Sequence, residues 1–323
     1  MFKRAIPYLG FVLSMANYSQ GEEVEVKPSK VRHRMKSIKL ESKGLSCAVE
    51  AENGAKITQL RVQGEEIFKF KEKKDHATPS LGVVALIPCV HHASLSELVW
   101  HGTGHPALSD QVSAEQMDWG LGWQSHWQIL EQEEDCVFLS FEHRAEKKWP
   151  WLFDASQVIR LHERALYLTL SLTNQSNVAS PVGLGWAFNM PIMPKDRLTM
   201  NAKSEIKLGH PVAKERTRED VNHEKTNHST GFDRSIQELG DNMGYSEWGG
   251  DACLNAEKYR LSLSSSLKTL QAIPSKERDV LLLKVLNVPL DVVKHAAPAQ
   301  MLAPGESMSI EMRMKIDVSH TMV

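Results

Sequence analysis

Apolar and polar residues alternate along much of the chain, the spacing that sends successive side chains to opposite faces of a β-strand. "MSIEMRMKIDV" puts Met308, Ile310, Met312, Met314, Ile316 and Val318 on one face and Glu311, Arg313 and Lys315 on the other. "RALYLTLSLTNQS" alternates Leu166, Leu168, Leu170 and Leu172 with Tyr167, Thr169 and Ser171, then ends in turn residues. "KYRLSLSSS" and "CVFLSFEH" follow the same rule. No segment has a helical period of comparable strength, so the pattern predicts an all-β fold.

The punctuation between these runs agrees. "ENGAK", Glu52 to Lys56, carries the Asn-Gly pair that tolerates left-handed backbone angles. "APGES", Ala303 to Ser307, sets Pro304 and Gly305 for a tight turn before the last strand. "AKERTREDVNHEKTNHSTGFD", Ala213 to Asp233, is polar throughout and predicts a long surface loop, of the kind that can rim a site.

Residues up to about Lys30 show no buried period and read as a leader and linker, residues 1–30, ahead of one folded domain over 31–323. At 323 residues the chain is long for one domain, yet β-sandwiches run to about 250 residues as single units. In "MFKRAIPYLGFVLSMANYSQ", Lys3 and Arg4 precede an apolar run from Ala5 to Met15, with Ser14 and Ala16 as a small-x-small site. That is the outline of a signal peptide over residues 1–16, although Pro7 interrupts it. Two locations stay open: periplasmic or secreted if the segment is a signal, cytoplasmic otherwise. The run falls well short of the roughly 20 residues a membrane span needs.

A net charge of -2 gives no footprint for a polyanion and excludes nucleic acid as the expected partner. Cys47, Cys89, Cys136 and Cys253 lie far apart without C-x-x-C spacing, which predicts buried free thiols rather than a zinc ribbon. Export would permit disulfides among them without fixing their pairing.

Five motifs, in order from about Leu45 to Val318, resemble the aldose 1-epimerase (galactose mutarotase) family. They are "NGAKITQLRVQGEEIF", "MDWGLGWQSHWQIL", "SLTNQSNVASPVGLGWAFNMP", "LGDNMGYSEWGGDA" and "MLAPGESMSIEMRMKI". The resemblance implies a galactose mutarotase-like antiparallel β-sandwich, or supersandwich, with a sugar cleft on one concave sheet. It implies a monosaccharide or sugar phosphate as partner and no cofactor. To interconvert anomers, a base takes the proton of the anomeric hydroxyl while an acid protonates the ring oxygen, and the ring opens to the aldehyde.

Carried over by position, the family's site is only partly present. Ala187 stands where the acid histidine of G-W-H-P is expected, and Trp119 where the H-G histidine is expected. His91 and His92 stand for an Asn-Arg pair. "VPLDVVKH" resembles E-P-V-S-H, making Asp291 the candidate base and keeping His295. Asp241 matches the aspartate that holds ring hydroxyls, although Asp241 and Asp291 both also suit ordinary turns.

Trp119 and Trp186 are candidate sugar-stacking residues, because indole faces stack on the apolar faces of pyranoses. Trp119 alternatively plugs the cleft, while Trp123 and Trp127 read as core. "HHASLSELVWHGTGH" holds His91, His92, His101 and His105 in a spacing that suits no standard zinc site. A histidine from this stretch is also a candidate replacement for the missing acid. Three functional readings follow: an epimerase with impaired chemistry, an inert sugar-binding module, and a closed protein that works through a partner surface.

Overall fold

The structure, a computed structural model, describes residues 37–69, 82–88, 119–146, 149–208, 225–227, 231–288 and 300–318. All lie in one compact unit, Met35–Val323. The possible signal segment, His91, His92, His101, His105, Asp291 and His295 lie outside the described residues.

The regular elements of the described residues are strands and two single turns of 3-10 helix. The strands are β1 (Ser37–Ser42), β2 (Leu45–Glu50), β3 (Lys56–Val62), β4 (Glu65–Lys69), β5 (Gly82–Leu86), β6 (Gln128–Gln132), β7 (Cys136–His143), β8 (Phe153–His162), β9 (Ala165–Asn174) and β10 (Ser180–Pro181). They continue as β11 (Gly185–Pro191), β12 (Arg197–Lys207), β13 (Lys225–Asn227), β14 (Phe232–Ser235), β15 (Met243–Asn255), β16 (Tyr259–Ser265), β17 (Thr269–Pro274), β18 (Val280–Leu286), β19 (Met301–Leu302) and β20 (Ser307–Val318).

Pairing between these strands is antiparallel, and it builds two layers. One runs β1-β2-β3-β5-β11-β18-β17. The other runs β6-β7-β8-β9-β20-β16. β15 joins them: Met243–Ser246 pair with β17, and Asp251–Asn255 pair with β16. The bend between the two halves falls where Glu247 and Gly250 take left-handed φ of 49° and 96°. The fold is the galactose mutarotase-like sandwich expected from the sequence.

The core lies between the layers, and the alternation fills it. Leu166, Leu168, Leu170 and Leu172 of β9 and Ile310, Met312, Met314 and Ile316 of β20 are all buried there, with Leu168 opposite Met312 and Leu170 opposite Ile310. Truncating one such leucine to alanine costs about 2–5 kcal/mol, the lost transfer energy plus a cavity. The two predicted turns are in place: Gly54 has φ +80° between β2 and β3, and Gly305 has φ +76° before β20.

One expectation is corrected. The polar stretch from Ala213 to Asp233 is not loop throughout, since β13 and the start of β14 fall within it and pair with β12. Its polar composition hid these strands because they extend the sheet through backbone hydrogen bonds, which any side chain permits. Arg234 of β14 then donates to both carboxylate oxygens of buried Glu205 on β12, at 2.9 and 3.0 Å.

Cys47, Cys136 and Cys253 are free thiols. Cys47 and Cys136 are buried and Cys253 is half-buried. Burial pushes the Cys47 thiol up to about 12.

Candidate functional site

The layer containing β5, β11, β18 and β17 is covered on both faces. On β11, Trp186, Phe188 and Met190 enter the main core, whereas Ala187 belongs to a second apolar cluster on the opposite face. The same division holds on β5, where Val83 and Ala85 face the core while Val84 and Leu86 join the second cluster. On β18, Leu281, Leu283 and Val285 face the core, and Leu286 joins the second cluster.

Strand register draws a single row across this outer face. Val84 lies opposite Ala187, Ala187 opposite Lys284, Lys284 opposite Gln271, and Gln271 opposite Gly244. Lys284 is 6% exposed and Ala187 is fully buried. The Gln271 amide donates to the Asn242 side-chain oxygen at 2.7 Å, which fixes the far end of the row. Asn189, two residues along β11 from Ala187 and so on the same face, is also buried.

Trp119 and Trp123 complete the second cluster, and the glycines between them allow it. The backbone N–H groups of Leu121 and Gly122 both donate to the Ile87 carbonyl at 2.8 Å, so the segment is docked at the end of β5. A Cβ on Gly120 would lie 2.6 Å from the Ile87 carbonyl, and its φ of +74° disfavours any side chain there. A Cβ on Gly122 would lie 2.4 Å from the Ile87 side chain. The G-x-G spacing therefore serves close backbone approach, and its product is the placement of Trp119. The Trp119 ring centroid lies 4.6 Å from Lys284 Nζ, a cation–π contact, and 5.7 Å from the Trp123 centroid. Trp119 is 5% exposed.

A family model for aldose 1-epimerase matches residues 36–315. The chain belongs to the aldose 1-epimerase family. It is 28% identical to the Escherichia coli (strain K12) protein YphB over 130 residues, a stretch that covers 40% of this chain and 44% of that relative. Its structure is similar to that of a candidate aldose 1-epimerase from Escherichia coli K12, with a TM-score of 0.66, 20% identity, and coverage of 88% of this chain and 99% of that one. It is also similar to a galactose mutarotase-like protein from Lactobacillus casei ATCC 334, with a TM-score of 0.65, 14% identity, and coverage of 87% and 100%. At these identities the two structures speak for the fold. Membership of the aldose 1-epimerases supports a sugar-related, mutarotase-like role.

For an aldose 1-epimerase family member, the site residues expected from the sequence fall into different places. Trp119 and Ala187 come together in the second cluster, beside Lys284. Trp186 does not join them: it is fully buried in the main core, and its indole N–H has no acceptor among the described residues. Consecutive residues of a strand face opposite ways, so Trp186 and Ala187 cannot share one face of β11.

Asp241 stands just before β15, next to Asn242, with its side chain 88% exposed. Its carboxylate meets Arg278 Nη2 at 3.5 Å, and the same guanidinium donates to the carbonyls of Ile236 and Leu239. Asp241 is the chain neighbour of Asn242, whose side-chain oxygen accepts from Gln271 at the end of the row. No group of three His, Cys, Asp or Glu suited to a metal ion occurs among the described residues, and none of their helices is long and apolar enough to cross a membrane.

Lys284 was not anticipated. "VLLLKVL" reads as a continuous apolar run with no motif attached. The signal that was available is the single charge within it, since a lysine in a strand covered on both faces is rarely there for packing.

Proposed function

We propose that this protein binds a hexose on the outer face of β5, β11, β18 and β17, and interconverts its anomers slowly at best. In the sugar-free state the Trp119 indole sits where the sugar would lie. The observation that supports this is the joint burial of Trp119 and Ala187, the two positions at which the family resemblance places histidines. Ring opening needs a proton delivered to the ring oxygen, and alanine has none to give. A stacking platform needs one open indole face, and 5% exposure leaves Trp119 without one. The plug reading therefore stands ahead of the stacking reading.

Calorimetry with hexoses and hexose phosphates, on the parent and on Trp119→Ala, tests this. The proposal expects weak binding by the parent and tighter binding by the variant. Weaker binding by the variant would make Trp119 a stacking residue. No binding by either protein would end the carbohydrate reading for those ligands and favour a partner surface. Polarimetry of glucose and galactose is expected to show mutarotation well below that of an enzyme with an open site and an imidazole acid at position 187. Mutarotation at full speed would contradict it.

A further inference from the structure

We propose that Lys284 is the proton donor of this site, acting on the ring oxygen in place of the histidine that position 187 lacks; this rests on the reading that a hexose binds the outer face of β11 and β18. Ala187 and Lys284 are directly opposite in register. Such cross-strand neighbours have Cβ atoms about 4.5–5.5 Å apart and share one face of the sheet. A side chain projecting from position 187 and one projecting from position 284 therefore cover the same ground. Alanine leaves that ground open, and the four-carbon stem of lysine carries a mobile donor across it.

The cation–π contact fixes where the donor is. Lys284 Nζ lies 4.6 Å from the Trp119 centroid, and Trp119 packs in the same cluster as Ala187, Val84 and Leu286. The ammonium is thus held directly against the indole that occupies the proposed sugar volume. A ring that displaces the indole inherits the contact. Packing alone does not explain a lysine here, because a methionine of similar length would fill the same space without the cost of burying an ammonium. Gln271 steadies the strand on the other side of Lys284, through its bond to Asn242.

The chemistry balances without a further side chain. The Lys284 ammonium donates a proton to the ring oxygen as the bond from that oxygen to C1 breaks. A water molecule accepts the proton of the anomeric hydroxyl, whose oxygen becomes the aldehyde carbonyl. After rotation about the C1–C2 bond, the ring hydroxyl attacks the other face of the carbonyl. Its proton returns to the lysine amine, and the new anomeric oxygen recovers a proton from water. Lys284 and water end as they began.

The test uses the full chain and four variants: Lys284→Met, Lys284→Arg, Trp119→Ala and the double variant Trp119→Ala/Lys284→Met. Anomer exchange of glucose and galactose is read by NMR, binding by calorimetry, and folding by thermal melts. Trp119→Ala is expected to exchange anomers faster than the parent. Adding Lys284→Met should lower the rate by about 10²–10⁴-fold while hexose affinity changes little. Lys284→Arg keeps the positive charge but cannot release a proton near neutrality, so it should bind sugar and fail to exchange it.

Retention of the Trp119→Ala rate in the double variant would overturn the proposal. So would hexose binding by Trp119→Ala without exchange above the buffer rate, or full activity in Lys284→Arg. Absence of hexose binding from every protein would instead remove the site reading on which the proposal rests.

Discussion

The Trp119 indole and the Lys284 ammonium face each other at 4.6 Å, on the outer side of the strand pair that brings Lys284 opposite Ala187. This contact links the two positions at which the resemblance to the family places histidines. An imidazole at position 187 would compete with the space that the Trp119 and Lys284 side chains now share. The residues at 119 and 187 are therefore coupled through one shared space.

The first prediction separates them. Ala187→His alone places an imidazole in a fully buried position against Trp119, and such overpacking costs about 1–3 kcal/mol. It is expected to lower the melting temperature without raising the mutarotation rate. The double variant Trp119→His/Ala187→His vacates the indole volume and supplies both imidazoles, and should accelerate mutarotation by up to about 10²–10⁴-fold over the parent. Polarimetry reads the difference. A rate gain from Ala187→His alone would mean that Trp119 does not obstruct the site.

Asp241 offers a second test, because its local interactions are worth little to the fold. It is exposed, its pairing with Arg278 is long, and surface ion pairs contribute about 0–1 kcal/mol. Asp241→Ala should leave the thermal melt almost unchanged. If the carboxylate takes sugar hydroxyls at the rim of the site, hexose affinity falls by about 1.5–3 kcal/mol, the range for a hydrogen bond to a charged group. Calorimetry on the Trp119→Ala background gives the signal. Unchanged affinity would return Asp241 to an ordinary turn residue.

The difference between what was legible in the sequence and what was not follows from how each feature is encoded. β9 and β20 carry an unbroken alternation of apolar and polar residues, and the buried face of each strand could be read from that period. The outer face of β11 and β18 carries no such code, since both strands are covered on both sides. There the sequence shows only composition, and facing must be counted residue by residue. Trp186 entered the candidate site by its motif, although parity along β11 sends it to the core once Ala187 faces outward. Lys284 is joined to Ala187 only through the pairing of distant strands. That long-range relation has no local signature.

Trp186 gives a third prediction, which checks this assignment of faces. Its indole N–H is buried without an acceptor among the described residues, so replacing it by phenylalanine removes an unsatisfied donor along with some packing. Trp186→Phe should change stability by less than about 1.5 kcal/mol and leave hexose binding as it was. Trp186→Ala should cost about 3–5 kcal/mol. Loss of sugar affinity in the phenylalanine variant, with folding intact, would place Trp186 in the site after all.

The fourth prediction concerns alkaline pH. Burial holds the phenols of Tyr245 and Tyr259 well above the usual tyrosine range, with a nearby carboxylate adding to the effect in each case, Glu205 for Tyr245 and Asp196 for Tyr259. Tyr245 donates to Glu205 at 3.4 Å and Tyr259 to the Pro191 carbonyl at 2.5 Å, bonds that only the neutral phenol can make. In the unfolded chain both ionise near their ordinary value of about 10. Below that pH neither state is ionised, and the full stability is present. Above it the unfolded state loses protons that the folded state retains, so stability falls as pH rises, by up to about 1.4 kcal/mol per pH unit for each tyrosine. Denaturant titrations between about pH 9 and about pH 11 should show this slope in the parent and a shallower one in Tyr245→Phe and Tyr259→Phe. Each variant should be less stable than the parent at pH 7 by about 0.5–1.5 kcal/mol, the worth of the hydrogen bond removed. Equal slopes in parent and variants would mean that neither phenol is held neutral by the fold.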